Sequence, residues 1–186
     1  MRPGGSKAKG GTFERLICVK LSKWLTNGEK EDCLWRSAMS GGRATVGRRR
    51  GVDLDSQSGD LSAISPEGHW LTDKFSIECK SYANIHISSL IFGTKGGIIE
   101  FWKQCKRDAA LATRLPMLIA KQNRQDVLLC INAEGLAAFE IDRESKLILA
   151  HFREQDIYLI WFEAFLLNVR SSVLHAPVER KILQRK

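Results

Sequence analysis

Residues 75–81, FSIECKS, alternate apolar and polar side chains, then set Glu78 and Lys80 two apart around Cys79. Such alternation reads as a β-strand, in which residues i and i+2 share a face. This strand therefore aims a carboxylate and an ammonium to one side, at the end of an apolar run, and turns Cys79 to the other. An exposed ion pair is one reason for such a pattern, worth only about 0–1 kcal/mol. Half of a metal-dependent phosphodiesterase site is the other.

The flanking segments supply a frame. Thr12 is expected to cap a helix that buries Phe13, Leu16, Ile17, Leu21, Trp24 and Leu25, stopped by Asn27-Gly28. CLWRSAM is a short strand. DLSAI (60–64) is another, and SPEGHW reads as the turn of an antiparallel hairpin with KFSIECK. From Ile98 to about Arg114 the pattern is helical, stopped by Pro116. PMLIAK and VLLCIN are strands about the turn QNRQD, and LAAFEI and LILAHF are expected as edge strands or a hairpin. Residues 156–169, DIYLIWFEAFLLNV, read as an apolar helix. The sum is an α/β domain, a mixed central β-sheet flanked by helices, with a C-terminal helical extension. The expected organisation is a flexible basic arm (1–10), a core (11–150) carrying an Arg/Gly-rich loop (41–51), and a C-terminal helix with a basic tail (151–186).

Charge narrows the partners. The 186 residues carry a net charge of +8, with a pI of about 9.4, which favours a polyanion. The composition is 44% hydrophobic and 27% charged, that of a globular chain. The five cysteines show no C-x-x-C spacing and the four histidines are scattered, so buried reduced thiols are expected and a zinc site is not. The longest apolar run is short and contains Glu163, against a membrane span. The reading is a soluble, intracellular (cytoplasmic) protein.

Phosphodiester hydrolysis assisted by magnesium or manganese needs hard oxygen ligands, an activated water and charge neutralisation on the phosphate. Two adjacent strands deliver this when one offers a carboxylate, Asp60, and the next a carboxylate and a lysine, Glu78 and Lys80. The Cys79 side chain would then point into the core while its backbone carbonyl reaches the metal. An E-x-K triplet alone is weak, since Glu179-Arg180-Lys181 is a second one in the basic tail.

Several stretches together resemble the PD-(D/E)xK nuclease superfamily, and within it the Holliday junction resolvases of archaeal and phage type. These are KGGTFERLICVKLSKWL, WRSAMSGG, GDLSAI, FSIECKS and FWKQCKRDAALATRLPMLIAK, spanning roughly residues 9–131. The resemblance implies a restriction-endonuclease-like core and a catalytic set of Glu14, Asp60, Glu78 and Lys80, with Gln104 in support. Asp60, Glu78, the Cys79 carbonyl and Glu14 would hold Mg2+ (or Mn2+), and no small-molecule cofactor is implied. Ser40 would lie near the cut strand. Arg43, Arg48, Arg49 and Arg50 are expected to contact DNA phosphates, for which guanidinium groups are suited. The implied substrate is branched DNA and the implied assembly a homodimer, because two symmetric strands are cut. This chain departs from the pattern in having Gly59 before Asp60. Asp53 and Asp55 in the long basic loop are rival acids.

Overall fold

The computed structural model describes residues 5–37, 59–92 and 96–175, with side chains from Gly10 onward. The first helix, α1 (Gly5–Leu25), buries Phe13, Ile17, Cys18, Leu21, Trp24 and Leu25 along one stripe. It begins earlier than Thr12, which is an interior position and not the cap. Once one turn is packed, each further residue adds a hydrogen bond at little cost, so Lys7, Ala8 and Lys9 continue it. Leu16 is exposed instead of buried. The helix stops as expected, with Asn27 and Gly28 both at positive φ.

Two short strands follow, β1 (Leu34–Arg36) and β2 (Leu61–Ala63), paired antiparallel with each other. Next come α2 (Pro66–Thr72), β3 (Phe75–Tyr82), α3 (Ser88–Phe92), α4 (Ile98–Leu111), β4 (Leu115–Gln122) and β5 (Val127–Ile131). The chain continues through α5 (Ala133–Ala138), β6 (Ile148–Phe152), β7 (Ile157–Trp161) and α6 (Phe162–Asn168). The main sheet has five strands in the order β3-β4-β5-β7-β6. β3 and β4 run parallel, joined through α3 and α4, and the remaining pairs are antiparallel. This is the expected mixed sheet flanked by helices, consistent with a restriction-endonuclease-like core.

Three local expectations are corrected. SPEGHW is the helix α2 rather than a hairpin turn, because Pro66 sits in its first turn, where a fixed φ favours a helix. Gly68 lets that helix lie against the Cys33 carbonyl and Ala63, an approach any Cβ would block. β2 consequently pairs with β1, and among the described residues the segment leading into it meets β3 through one parallel bridge, Gly59 to Ile77. Second, residues 157–161 form the strand β7, inside the sheet, and only 162–168 are helical; Ile157, Tyr158, Leu159 and Ile160 are all buried between two partner strands. Third, Ala133–Ala138 is a helix where a strand was expected. The Asn132 side chain caps it, accepting from the Gly135 N–H at 2.9 Å.

The sheet divides two cores. Phe75, Ile77, Met117, Ile119, Leu129 and Ile160 meet α1 and α6 on one face. Leu118, Ala120, Leu128, Cys130 and Leu159 meet Ile98, Trp102 and Cys105 of α4 on the other. All five cysteines are free and buried, as expected. Among the described residues no helix is long and apolar enough to cross a membrane.

Candidate active site

β3 separates its side chains by parity. Phe75, Ile77 and Cys79 join the core under α1. Glu78, Lys80 and Tyr82 face α4: the Glu78 carboxylate acts on the Cys105 thiol of that helix, and Tyr82 stacks on its Phe101. The expected shared face of Glu78 and Lys80 is present, with Lys80 Nζ 2.9 Å from Glu78 Oε2. Glu78 is 6% exposed. Burial works against the Lys80 charge, but the Glu78 and Asp60 carboxylates outweigh it and raise its pKa.

Asp60 reaches the same place from the other side of β3. Gly59, at φ +86°, runs against that strand so closely that a Cβ would stand 2.5 Å from the Ile77 carbonyl oxygen. Only glycine tolerates both the approach and the left-handed backbone. The Asp60 N–H then donates to the Ile77 carbonyl at 2.7 Å, and Asp60 Oδ2 accepts from the Cys79 N–H at 2.8 Å. The departure noted before Asp60 is thus the device that docks it. Burial, then the neighbouring Glu78, pushes the Asp60 carboxyl up to about 7, against the opposing pull of the Cys79 N–H and Lys80.

Glu14 comes from α1 and adds to the negative field at Asp60. Its carboxylate is bound by Arg36 of β1 through Nε. Arg36 was absent from the residues singled out in the sequence. Its guanidinium lies over Gly11, where a Cβ would be only 3.1 Å away, so a glycine one turn before Glu14 makes room for its partner. Cys18, also on α1, is raised to about 12 by burial and then by Glu14, and Cys79 is raised well above its ordinary value by burial and then Asp60. Both stay protonated thiols at neutral pH. Cys79 contributes its N–H, not its sulfur.

Gln104 lies on α4, half-buried, and among the described residues forms no hydrogen bond to Asp60, Glu78 or Lys80. Ser40, Arg43, Arg48, Arg49 and Arg50, and the rival acids Asp53 and Asp55, lie outside the described residues. Among the described residues no cluster of three or more His, Cys, Asp or Glu is disposed to hold a metal ion. What is present is a pair of buried carboxylates beside one lysine, with Glu14 engaged by Arg36. That donor set is all hard oxygen and carries an excess negative charge, which suits a divalent cation such as magnesium or manganese.

A family model described as "Phage putative PDDEXK endonuclease" matches residues 5–173. No curated protein matches, and no solved structure matches.

Proposed function

The chain belongs to the phage PDDEXK endonuclease family, and from that premise we propose that it is a Mg2+- or Mn2+-dependent DNA endonuclease whose site is Asp60, Glu78 and Lys80, with Glu14 and Gln104 at its margin. The observation that carries this reading is the meeting of Asp60 and Glu78 across the edge of β3, pinned by the Cys79 N–H at 2.8 Å and beside Lys80 at 2.9 Å from Glu78. Nucleases of this superfamily use divalent metals, and a bound cation would supply Lewis-acid polarisation of the phosphate.

The chain's own groups have separable tasks. Asp60 and Glu78 are the oxygen donors, with the Cys79 carbonyl beside them and Glu14 as a further donor through water. Lys80 orients the attacking water and offsets charge building on the phosphate oxygens. The water oxygen forms the new bond to phosphorus and the bond to the 3′ oxygen breaks, leaving a 5′-phosphate and a 3′-hydroxyl. Arg36 holds Glu14 in place. Ser40 and the four arginines of the basic loop would bind backbone phosphates, giving affinity with a steep salt dependence.

The finer reading is a Holliday junction resolvase-like, structure-selective enzyme acting as a homodimer. Its support is the sequence resemblance and the basic charge of +8. The test is labelled four-way junction, splayed duplex and linear duplex, each with Mg2+ and with EDTA, beside Glu78→Gln. Symmetric metal-dependent cuts on the junction alone, lost in the variant, support the full proposal. Cuts on all three substrates keep the nuclease and remove the junction preference. Tight binding without cutting under any metal overturns the enzyme reading in favour of a non-cleaving DNA-binding protein on the same fold.

A further inference from the structure

Two residues past Lys80, on the same face of β3, stands Tyr82. Its neighbours on that face point to the active-site cluster, yet Tyr82 is 49% exposed. The ring is nonetheless oriented. It stacks on Phe101 of α4, with centroids 5.1 Å apart and planes 18° from parallel. One ring face is therefore packed on Phe101, while the residue as a whole stays half exposed. Along a strand, two residues span about 7 Å, so this ring stands about that far from Lys80 along the face that carries Glu78.

We propose that Tyr82, backed by Phe101, is a positioning residue on which an unpaired nucleobase next to the scissile phosphate stacks, so that the enzyme favours DNA whose bases are already unstacked at the cut. This rests on the nuclease reading of Glu78 and Lys80. A π-face accepts any base, and base–aromatic stacking strengthens binding roughly 5- to 150-fold per base. A base inside a continuous duplex must first leave its stack and its pairing, which weakens its binding. At a branch, fork or gap that cost is already met. The platform thus gives preference for an interruption of the helix without reading sequence. Lys80, paired with Glu78 at 2.9 Å, stands two residues away on the same face, within reach of the phosphate that joins such a base to the strand.

The test has a binding arm and a cleavage arm. In EDTA, a fork carrying 2-aminopurine at each branch nucleotide in turn is titrated with the full chain. Quenching at one position is expected with wild type and with Tyr82→Phe, and its loss with Tyr82→Ala and Tyr82→Leu. Tyr82→Leu keeps an apolar contact with Phe101 and so guards against a folding defect in the alanine variant. With Mg2+, Tyr82→Ala is expected to cut the fork about tenfold or more slowly, with linear duplex changed less than twofold. Absence of quenching in wild type overturns the inference whatever the cleavage arm shows. Quenching without cleavage sustains the platform while the nuclease reading fails. Equal losses on fork and duplex, or a dimer that dissociates in Tyr82→Ala on sedimentation, would assign the stacked pair to folding or to contact with a second copy and overturn it.

Discussion

β3 and β7 belong to one sheet and both carry a long buried run, but they are buried in different ways. β7 lies between β5 and β6, and its buried residues, Ile157, Tyr158, Leu159 and Ile160, face apolar neighbours on both sides of the sheet. β3 has β4 along one edge and, on the other, among the described residues, only the bridge from Gly59. Its buried run includes Ser76 and Glu78. Where β2 leaves β3, the side chain of Asp60 takes the Cys79 N–H that a neighbouring strand would have taken. A sheet edge that must satisfy its backbone groups can do so with a carboxylate, and that brings a second acid beside Glu78. In the interior of the sheet, at β7, no such opening exists.

The sharpest way to break this comparison exchanges polarity between the strands. Glu78→Gln in β3 is expected to lower metal-dependent cleavage by about a thousandfold or more, on the order of 4 kcal/mol of transition-state stabilisation. Its urea midpoint should stay close to wild type, because the change removes one of two crowded carboxylates. Ile160→Asp in β7 is expected to cost at least about 4 kcal/mol in urea unfolding, since it buries a charge with no partner. If Ile160→Asp were tolerated as well as Glu78→Gln, the contrast between the strands would be void.

The carboxylate pair has a pH signature of its own in metal-free protein. The folded Asp60 carboxyl is raised from 3.8 to about 7, so between these values the folded state holds a proton that the unfolded chain has released. Stability from this group is fully present below about pH 4 and declines as pH rises to 7. Asn in its place still accepts from the Cys79 N–H but has nothing to ionise. In EDTA, Asp60→Asn should match wild type near pH 4 and exceed it by on the order of 1–3 kcal/mol at pH 8. Urea titrations at the two pH values decide it. A gap that closes as pH rises would contradict a buried carboxylate opposed by Glu78.

The sequence made visible whatever rests on local periodicity. Glu78 and Lys80 share a face because a strand alternates every two residues, and α1, α4, β4 and β5 follow from patterns within a single segment. The run IYLIWFEAFLL does not have that property. Apart from Glu163 it is apolar, so neither the period of a strand nor that of a helix emerges, and nothing marks the change from β7 to α6 between Trp161 and Phe162. SPEGHW failed for another reason: a proline signals a turn or the first turn of a helix, and the packing of Gly68 decided which. The bond between Arg36 and Glu14 joins residues 22 apart on different elements. Its one local trace is Gly11, whose purpose shows only when the guanidinium lies over it.

The smallest expected effect on cleavage tests how the two regions are tied. Trp24, at the end of the helix that brings Glu14 to the site, donates from Nε1 to the Val169 carbonyl at 2.7 Å, just past α6. Its ring also meets Phe139 and Phe165, with centroids 6.1 and 5.1 Å away. Residues following β7 thereby hold α1 against the sheet, and the C-terminal part of the chain supports the same helix that carries Glu14. Trp24→Phe keeps an aromatic ring but leaves a buried carbonyl without its donor, which should cost about 1–3 kcal/mol. The loss should show in urea unfolding with a single transition, since α1 and the β7 side form one core. Cleavage by the folded variant should fall less than threefold, because Arg36 still fixes Glu14 from β1. Two separate unfolding transitions would mean that the site-bearing and apolar halves of the sheet are stabilised independently. The comparison between them would then be one of two units rather than two strands of one core.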